Sequence, residues 1–403
     1  MNQNLQLLHE YPFGKLKTLL QNLSIETTEP VISLAIGEPQ HAPPEAVLNA
    51  LVADLGHINQ YPSTQGSEAL RQSIAAWLTQ RYQLSDAVVN PESNVLPVVG
   101  TREALFAIAQ TVVDVTNTQL NSPPLVIMPS PFYQIYEGAA IMAGAEPLYL
   151  PCEAANHYLP DLDAVSDSEW NRCQLVYICN PSNPTGVIPP ASFYQRLLEL
   201  ADRFDFVVAS DECYSEIYYD EHSPPLGLLE VCQSLGRNNF ARCLVFNSLS
   251  KRSNLAGMRS GFVAGCDKLI AAFLKYRTYH GSAMPLHHQS ASVMAWNDEA
   301  HVQVNRQLYR EKMDRIVPML QSSLGVEIPA AGFCLWAKTP IDDELFTQKL
   351  FSQRQVRVLP GQYLARMIDG HNPGLHYIRM ALVQPIEDCV QAAERIVKLV
   401  ADL

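Results

Sequence analysis

Lys251 sits in the stretch Ser248-Leu-Ser-Lys-Arg-Ser-Asn-Leu-Ala-Gly-Met-Arg259, followed by Gly261 and an apolar Phe-Val-Ala. A primary amine flanked by hydroxyls can attack a carbonyl and form an imine. Arg259 can hold two oxygens of a phosphate with its planar fork. An imine-forming lysine beside a phosphate cradle is the pairing that pyridoxal 5′-phosphate demands. Ser-x-Ser-Lys by itself is usually a solvated loop, so the reading depends on what accompanies it.

Several other segments carry chemistry-bearing residues at the ends of strand-like runs. Asp211 closes Phe206-Val-Val-Ala-Ser210, which delivers a carboxylate to a sheet edge, and Tyr214 follows three residues later. Asn180-Pro-Ser-Asn-Pro-Thr-Gly186 follows Leu175-Val-Tyr-Ile-Cys179 and is rich in turn formers. Gly100-Thr101-Arg102 follows Val95-Leu-Pro-Val-Val99 and opens the apolar-periodic segment from Leu105 to Val113. That is a helix N-terminus, whose free amides and positive dipole end attract an anion. Pro131-Phe-Tyr-Gln-Ile-Tyr136 follows the apolar Leu125-Val-Ile-Met128. Arg379 lies near the C-terminus in His376-Tyr-Ile-Arg-Met380, Gly37 in Leu34-Ala-Ile-Gly-Glu-Pro39, and Tyr61 in Gln60-Tyr-Pro-Ser-Thr-Gln-Gly66.

In this order and spacing the motifs resemble the class I aminotransferases of pyridoxal-phosphate fold type I over nearly the whole chain. The resemblance implies a role for each residue. Lys251 is the cofactor-linking amine and the base that moves the substrate Cα proton. Asp211 keeps the pyridine nitrogen protonated, while Tyr214 and Asn183 bond the cofactor's phenolic oxygen. Gly100, Thr101, Arg102, Ser248, Ser250 and Arg259 share the phosphate. Tyr133 is the aromatic that stacks on the ring, with Phe132 and Tyr136 as alternatives. Arg379 grips the substrate α-carboxylate, with Gly37 and Asn183 also against the substrate. Tyr61 reaches the phosphate of the neighbouring subunit, which implies a homodimer with shared sites. The family's loops also imply cis peptide bonds at Ser130-Pro131 and Asn183-Pro184.

These loops all follow strands, and ligands of open α/β sheets lie beyond the carboxyl ends of strands. Strand-like runs alternating with helical patterns such as Ser192 to Arg203 predict an α/β fold with a mainly parallel sheet. The family sheet has seven strands, with Gly261-Phe-Val-Ala-Gly265 returning antiparallel. Residues 46–282 are expected to form a large cofactor-binding domain, and residues 1–45 with 283–403 a smaller α+β domain. The chain has 403 residues, 47% of them hydrophobic, enough to fill more than one ordinary core.

The formal charge of −13, from 28 basic and 41 acidic residues without a basic cluster, argues against a nucleic-acid surface and for small metabolites as partners. The short N-terminal stretch, without a basic cluster, is not expected to supply the DNA-binding module of an aminotransferase-like regulator. Nine cysteines without Cys-x-x-Cys predict reduced thiols rather than a disulfide or zinc framework. No metal is expected, since His287-His288 has no companion ligand at suitable spacing. No export signal or membrane span is legible, and the cytoplasm fits best.

Within the family, Leu5-Gln-Leu-Leu-His-Glu-Tyr-Pro-Phe-Gly-Lys-Leu-Lys-Thr-Leu-Leu20 and Tyr276-Arg-Thr-Tyr-His-Gly-Ser-Ala-Met-Pro285 look like bacterial succinyldiaminopimelate transaminases. That resemblance implies amino exchange between N-succinyl-LL-2,6-diaminopimelate and 2-oxoglutarate, towards lysine and diaminopimelate. Arg277 and His280 are candidates for the far end of the substrate. Aspartate, aromatic and kynurenine transaminases share every cofactor motif, as does a fold type I β-lyase, which would eliminate rather than transfer.

Overall fold

The structure, a computed structural model, describes residues 1–116 and 122–403. Its centre is a seven-stranded sheet in the spatial order Val95–Val98, Gly261–Gly265, Cys243–Ser248, Val207–Asp211, Cys173–Cys179, Leu125–Ser130 and Glu146–Pro151. Gly261–Gly265 runs antiparallel to both neighbours, and every other pairing is parallel. The expected α/β architecture and the returning strand are both present.

The strand sequences are apolar throughout because both faces of the sheet are covered. Ile127, Val176, Val208 and Val245 face one layer that includes Trp77 and Leu197, and Val126, Leu175, Ala209 and Leu244 face a second that includes Leu105 and Phe273. Burial of alternate residues on opposite faces explains why these runs read as continuous hydrophobic stretches rather than alternating ones. The helices Thr101–Val112 and Ala191–Phe204 illustrate the two layers, one packed on each side.

A separate core forms from both ends of the chain. Ile32 and Leu34 pack with Met313, Leu320, Leu335, Ile378 and Leu399. Around it lie an antiparallel sheet ordered Leu359–Pro360, Tyr377–Ala381, Cys334–Lys338, and a parallel pair Ile32–Ser33 with Val356–Arg357. The helix Leu286–Trp296 lies beyond residue 282, yet Ala291, Ala295 and Trp296 belong to the large core, where Trp296 packs on Trp77 and Phe262. The large core therefore extends further along the chain than 46–282. Three peptide bonds are cis: Ser130-Pro131 and Asn183-Pro184, as expected, and Asn180-Pro181, which the sequence reading did not include.

Candidate active site

Four parallel strands end in a row at one edge, and the loops beyond them enclose a cavity of about 580 Å³. Lys251, on the single-turn helix Leu249–Arg252 after the strand Cys243–Ser248, points into it. Its amine donates to the carbonyl of Gly37 and lies 5.3 Å from the centre of the Phe333 ring. Burial brings its pKa down to about 8, because an ammonium loses hydration there without gaining a carboxylate partner. A lysine so tuned is a nucleophile near neutral pH.

Asp211 is the last residue of Val207–Asp211 and lines the same cavity. Burial raises its carboxyl above the usual range, and hydrogen bonds from Tyr136 Oη at 2.7 Å and the Cys213 amide at 3.3 Å oppose that rise. Among the described residues Asp211 makes no ion pair. A buried carboxylate without a cation is costly unless something positive joins it, so the site has room for a protonated ring nitrogen.

The three aromatics of the cis-proline loop take different jobs. Tyr133 lines the cavity, and its hydroxyl accepts from Arg102 Nε at 2.7 Å. Tyr136 is fully buried with its ring stacked on Tyr177 at 4.6 Å, which aims its hydroxyl at Asp211. Phe132 is buried against Tyr149, although it also borders the cavity. The sequence reading offered Tyr136 only as an alternative stacker. Its service to Asp211 was not legible, because it depends on a contact across 75 positions.

The end of the cavity beside Gly100 is equally defined. Gly100 has φ +79° and a Cβ there would collide with the guanidinium of Arg259, so only glycine lets the two approach. Thr101, Arg102, Ser248, Ser250 and Arg259 all border the cavity around this point. Thr101 Oγ1 lies 3.1 Å from Cys213 Sγ, and Ser248 Oγ is 3.7 Å from the same sulfur, so Cys213 ties the two hydroxyl residues together.

Arg379, in the strand Tyr377–Ala381, donates to the carbonyl of Ala35 at 2.8 Å and to Asn183 Oδ1 at 3.4 Å. Its Nε is buried without a partner. Arg379 itself borders the cavity, where a guanidinium suits an anion. Asn183 and Tyr214 also line the cavity, Tyr214 held edge-on to Phe333 at 5.3 Å. Tyr11, Pro12 and Phe13 also border the cavity; that segment was noted only for its substrate-family resemblance.

Three expectations fall outside this cluster. Tyr61 is fully exposed and away from the cavity of its own chain. Arg277 does not face substrate: it is completely buried, paired with Glu103 at 2.5 Å and 2.6 Å, and bonded to the Ser282 carbonyl. A terminal arginine on a helix reads as solvent-exposed in sequence, but this one neutralises a carboxylate 174 positions away. His280 stacks on Tyr276 at the surface and likewise does not border the cavity.

Comparison with known proteins agrees with this geometry. The family model described as aminotransferase class I and II matches residues 29–396. An LL-diaminopimelate aminotransferase from Maridesulfovibrio salexigens is 30% identical over 98% of this chain and 98% of its own length, and one from Aquifex aeolicus is 30% identical over 99% and 98%. The crystal structure of an aminotransferase from Neisseria meningitidis superposes with a TM-score of 0.94 at 44% identity, covering 99% of this chain and 100% of that one. The aminotransferase AspB from Helicobacter pylori gives 0.87 at 30% identity over 98% and 100%. The match over nearly the full length, on a fold that lines its cavity with a buried lysine, a buried aspartate and an arginine, places the chain in the class I and II aminotransferase family, as a transaminase.

Proposed function

We propose that the enzyme works with pyridoxal 5′-phosphate and exchanges an amino group between N-succinyl-LL-2,6-diaminopimelate and 2-oxoglutarate. The observation that carries the reading is the charge of the cavity. Its lining holds Arg102, Lys251, Arg259 and Arg379 against only Glu38 and Asp211. Such a site suits a phosphate together with multiply anionic substrates.

In this reading Lys251, Asp211, Tyr133, Asn183 and Tyr214 hold the ring of the cofactor, and Gly100, Thr101, Arg102, Ser248, Ser250 and Arg259 its phosphate. When bound there, the cofactor supplies an electron sink for the pair released as substrate Cα–H breaks. Lys251, neutral at a modest cost in pH, takes that proton and returns it on the next atom. Arg379 fixes the α-carboxylate, so the Cα–H bond meets the amine in a defined direction. Tyr136 restrains Asp211, and Asp211 fixes the charge of the ring nitrogen. Tyr133 and Phe132 keep water from that face.

Relatives named LL-diaminopimelate aminotransferases favour a second donor, free LL-2,6-diaminopimelate. That substrate adds a distal ammonium, for which Glu38 is the exposed carboxylate in the lining. For the whole chain we propose a homodimer completed by Tyr61, a large domain of residues 46–282 extended by the helix Leu286–Trp296, and a small domain built from the two chain ends.

Alternate addition tests the reaction class. Glutamate should bleach the visible absorbance of the cofactor-loaded enzyme and 2-oxoglutarate should restore it. An enzyme that releases pyruvate or ammonia without a keto-acid requirement would instead be a lyase.

A further inference from the structure

Behind the catalytic lysine runs a buried line of polar side chains that the reaction described above does not use. Lys312 and Asn305 lie two turns apart on one face of the helix Ala300–Leu324, exposed to only 3% and 2%. His41 sits on the same loop as Gly37, after the strand Ile32–Ser33. Lys312 Nζ is 2.8 Å from His41 Nε2 and 3.3 Å from the carbonyl of Val383, and among the described residues no carboxylate pairs with it. His41 Nδ1 is 2.9 Å from Asn305 Oδ1. Asn305 Nδ2 then donates to the main-chain carbonyls of Lys251 at 3.1 Å and Arg252 at 3.3 Å.

The partners leave one protonation pattern. Two carbonyls require Asn305 to present its amide nitrogen to Lys251, and Asn254 Nδ2, 3.1 Å from Asn305 Oδ1, needs that oxygen as an acceptor. His41 must therefore donate from Nδ1, which makes Nε2 an acceptor for the Lys312 ammonium. Along the line Lys312–His41–Asn305–Lys251 each donor points towards Lys251, while Lys312 also donates to the Val383 carbonyl. Burial lowers both His41 and Lys312, the latter to about 8, consistent with one shared positive charge rather than two. Aromatic contacts run alongside: the His41 ring lies 4.6 Å from Tyr309, Tyr309 stacks on Phe333 at 5.3 Å, and the Lys251 amine sits over Phe333.

We infer that Lys312, His41 and Asn305 are positioning residues for Lys251, a one-way relay that fixes the lysine's main chain to the Gly37–His41 segment and fastens that segment to Val383. Gly37 receives the lysine's amine and His41, through Asn305, its carbonyl. The segment thus brackets the residue at both ends. Because Val383 follows a strand of the small sheet while Lys251 follows one of the large sheet, the relay also spans the two cores. The inference rests on the reading of Lys251 as the group that moves the Cα proton.

The test uses cofactor-loaded wild type, Lys312→Met and Lys312→Arg, with L-glutamate and its Cα-deuterated form in single turnovers. Lys312→Met should lose about tenfold or more in rate with glutamate KM changed by less than about threefold, since small misplacements of a reacting group are this costly. Its deuterium isotope effect should rise, because proton transfer is the step impaired, and Lys312→Arg, which keeps a cationic donor, should recover most of the rate. Borohydride-reducible cofactor should stay at wild-type level in both. In the cofactor-free wild type, nitrogen-15 histidine resonances should show His41 neutral with its proton on Nδ1. A normal rate or an unchanged isotope effect in Lys312→Met, or a proton on Nε2 of His41, overturns the relay. Should Lys312→Met fail to fold, the His41 tautomer decides alone. A wild type inert towards glutamate would instead overturn the reaction assignment beneath it.

Discussion

Lys251 and Asp211 are a buried base and a buried acid; burial pushes each towards its neutral form, and the hydrogen bonds to Asp211 oppose that push. Because the folded value of Lys251 lies below the ordinary 10.5, at about 8, its neutral form is favoured by folding. Cofactor-free protein should therefore capture pyridoxal 5′-phosphate at a rate that climbs with pH up to about 8 and then levels off. A climb continuing towards 10.5 would mean an unperturbed amine. The sign for stability is the reverse of a salt bridge: the unfolded lysine protonates first, so this group removes stability between 10.5 and about 8 as pH falls and adds no further loss below. Asp211→Asn should lower kcat by about a hundredfold or more, as for other losses of preorganised charge. Tyr136→Phe should keep the fold, cost about 1–3 kcal/mol for the lost bond to a carboxylate, and reduce kcat less than Asp211→Asn does. Steady-state rates and thermal melts of the two variants check this order. The sequence made Asp211, Asn183, Ser248 and Lys251 legible because each follows an apolar strand, where side chains of separate segments converge. Tyr136 and the His41–Asn305 relay were not legible, since their partners lie far off in the chain and no local pattern marks a buried hydrogen bond.

At the scale of elements, the helix Thr101–Val112 borders the cavity at its N-terminus, where we propose that the cofactor phosphate binds, and its first turn is pinned from outside. Glu103 in that turn takes both carboxylate bonds from Arg277 of the helix Asp267–His280. Removing one member of a buried pair leaves the other uncompensated, so Glu103→Gln should cost about 3–5 kcal/mol of stability and loosen the cofactor, while Glu103→Leu with Arg277→Met should restore much of the stability. Melts of the single and double variants, with cofactor dissociation rates, measure both effects. Gly100→Ala should weaken cofactor retention at the same place, because the new methyl meets Arg259 and the φ of +79° is strained for alanine by about 1–2 kcal/mol. The strand-helix alternation and the glycine at this turn were readable from periodicity and from helix-start signals. The Arg277 pairing was not, because a basic residue in the last turn of a helix ordinarily faces solvent and only the packing against a second helix reverses that.

For the whole molecule, both chain ends meet in one core, and the cavity lies where that core faces the large sheet. Leu48, Val52, Leu55, Ile58 and Tyr61 are exposed along one stretch of the large unit, an apolar run that fits burial against a second copy. If Tyr61 completes the partner's site, mixing Lys251→Ala chains with Tyr61→Phe chains should regenerate activity as heterodimers form, and verified exchange without recovery would place Tyr61's role within its own chain. No helix among the described residues is long and apolar enough to cross a membrane. The overall fold was legible because α/β periodicity and the motif order constrain it together; the extent of the large core was not, since the helix Leu286–Trp296 has only a weak amphipathic pattern and reveals its side by packing on Trp77. The cavity's excess of cations points to an anionic donor, and the most direct measurement is kcat/KM across amino donors with 2-oxoglutarate, following glutamate. N-succinyl-LL-2,6-diaminopimelate should exceed aspartate, alanine and kynurenine by about tenfold or more, the worth of one desolvated charge-assisted contact. A higher value for aspartate or an aromatic donor would contradict the substrate assignment, and a higher value for free LL-2,6-diaminopimelate would move it to the unsuccinylated form.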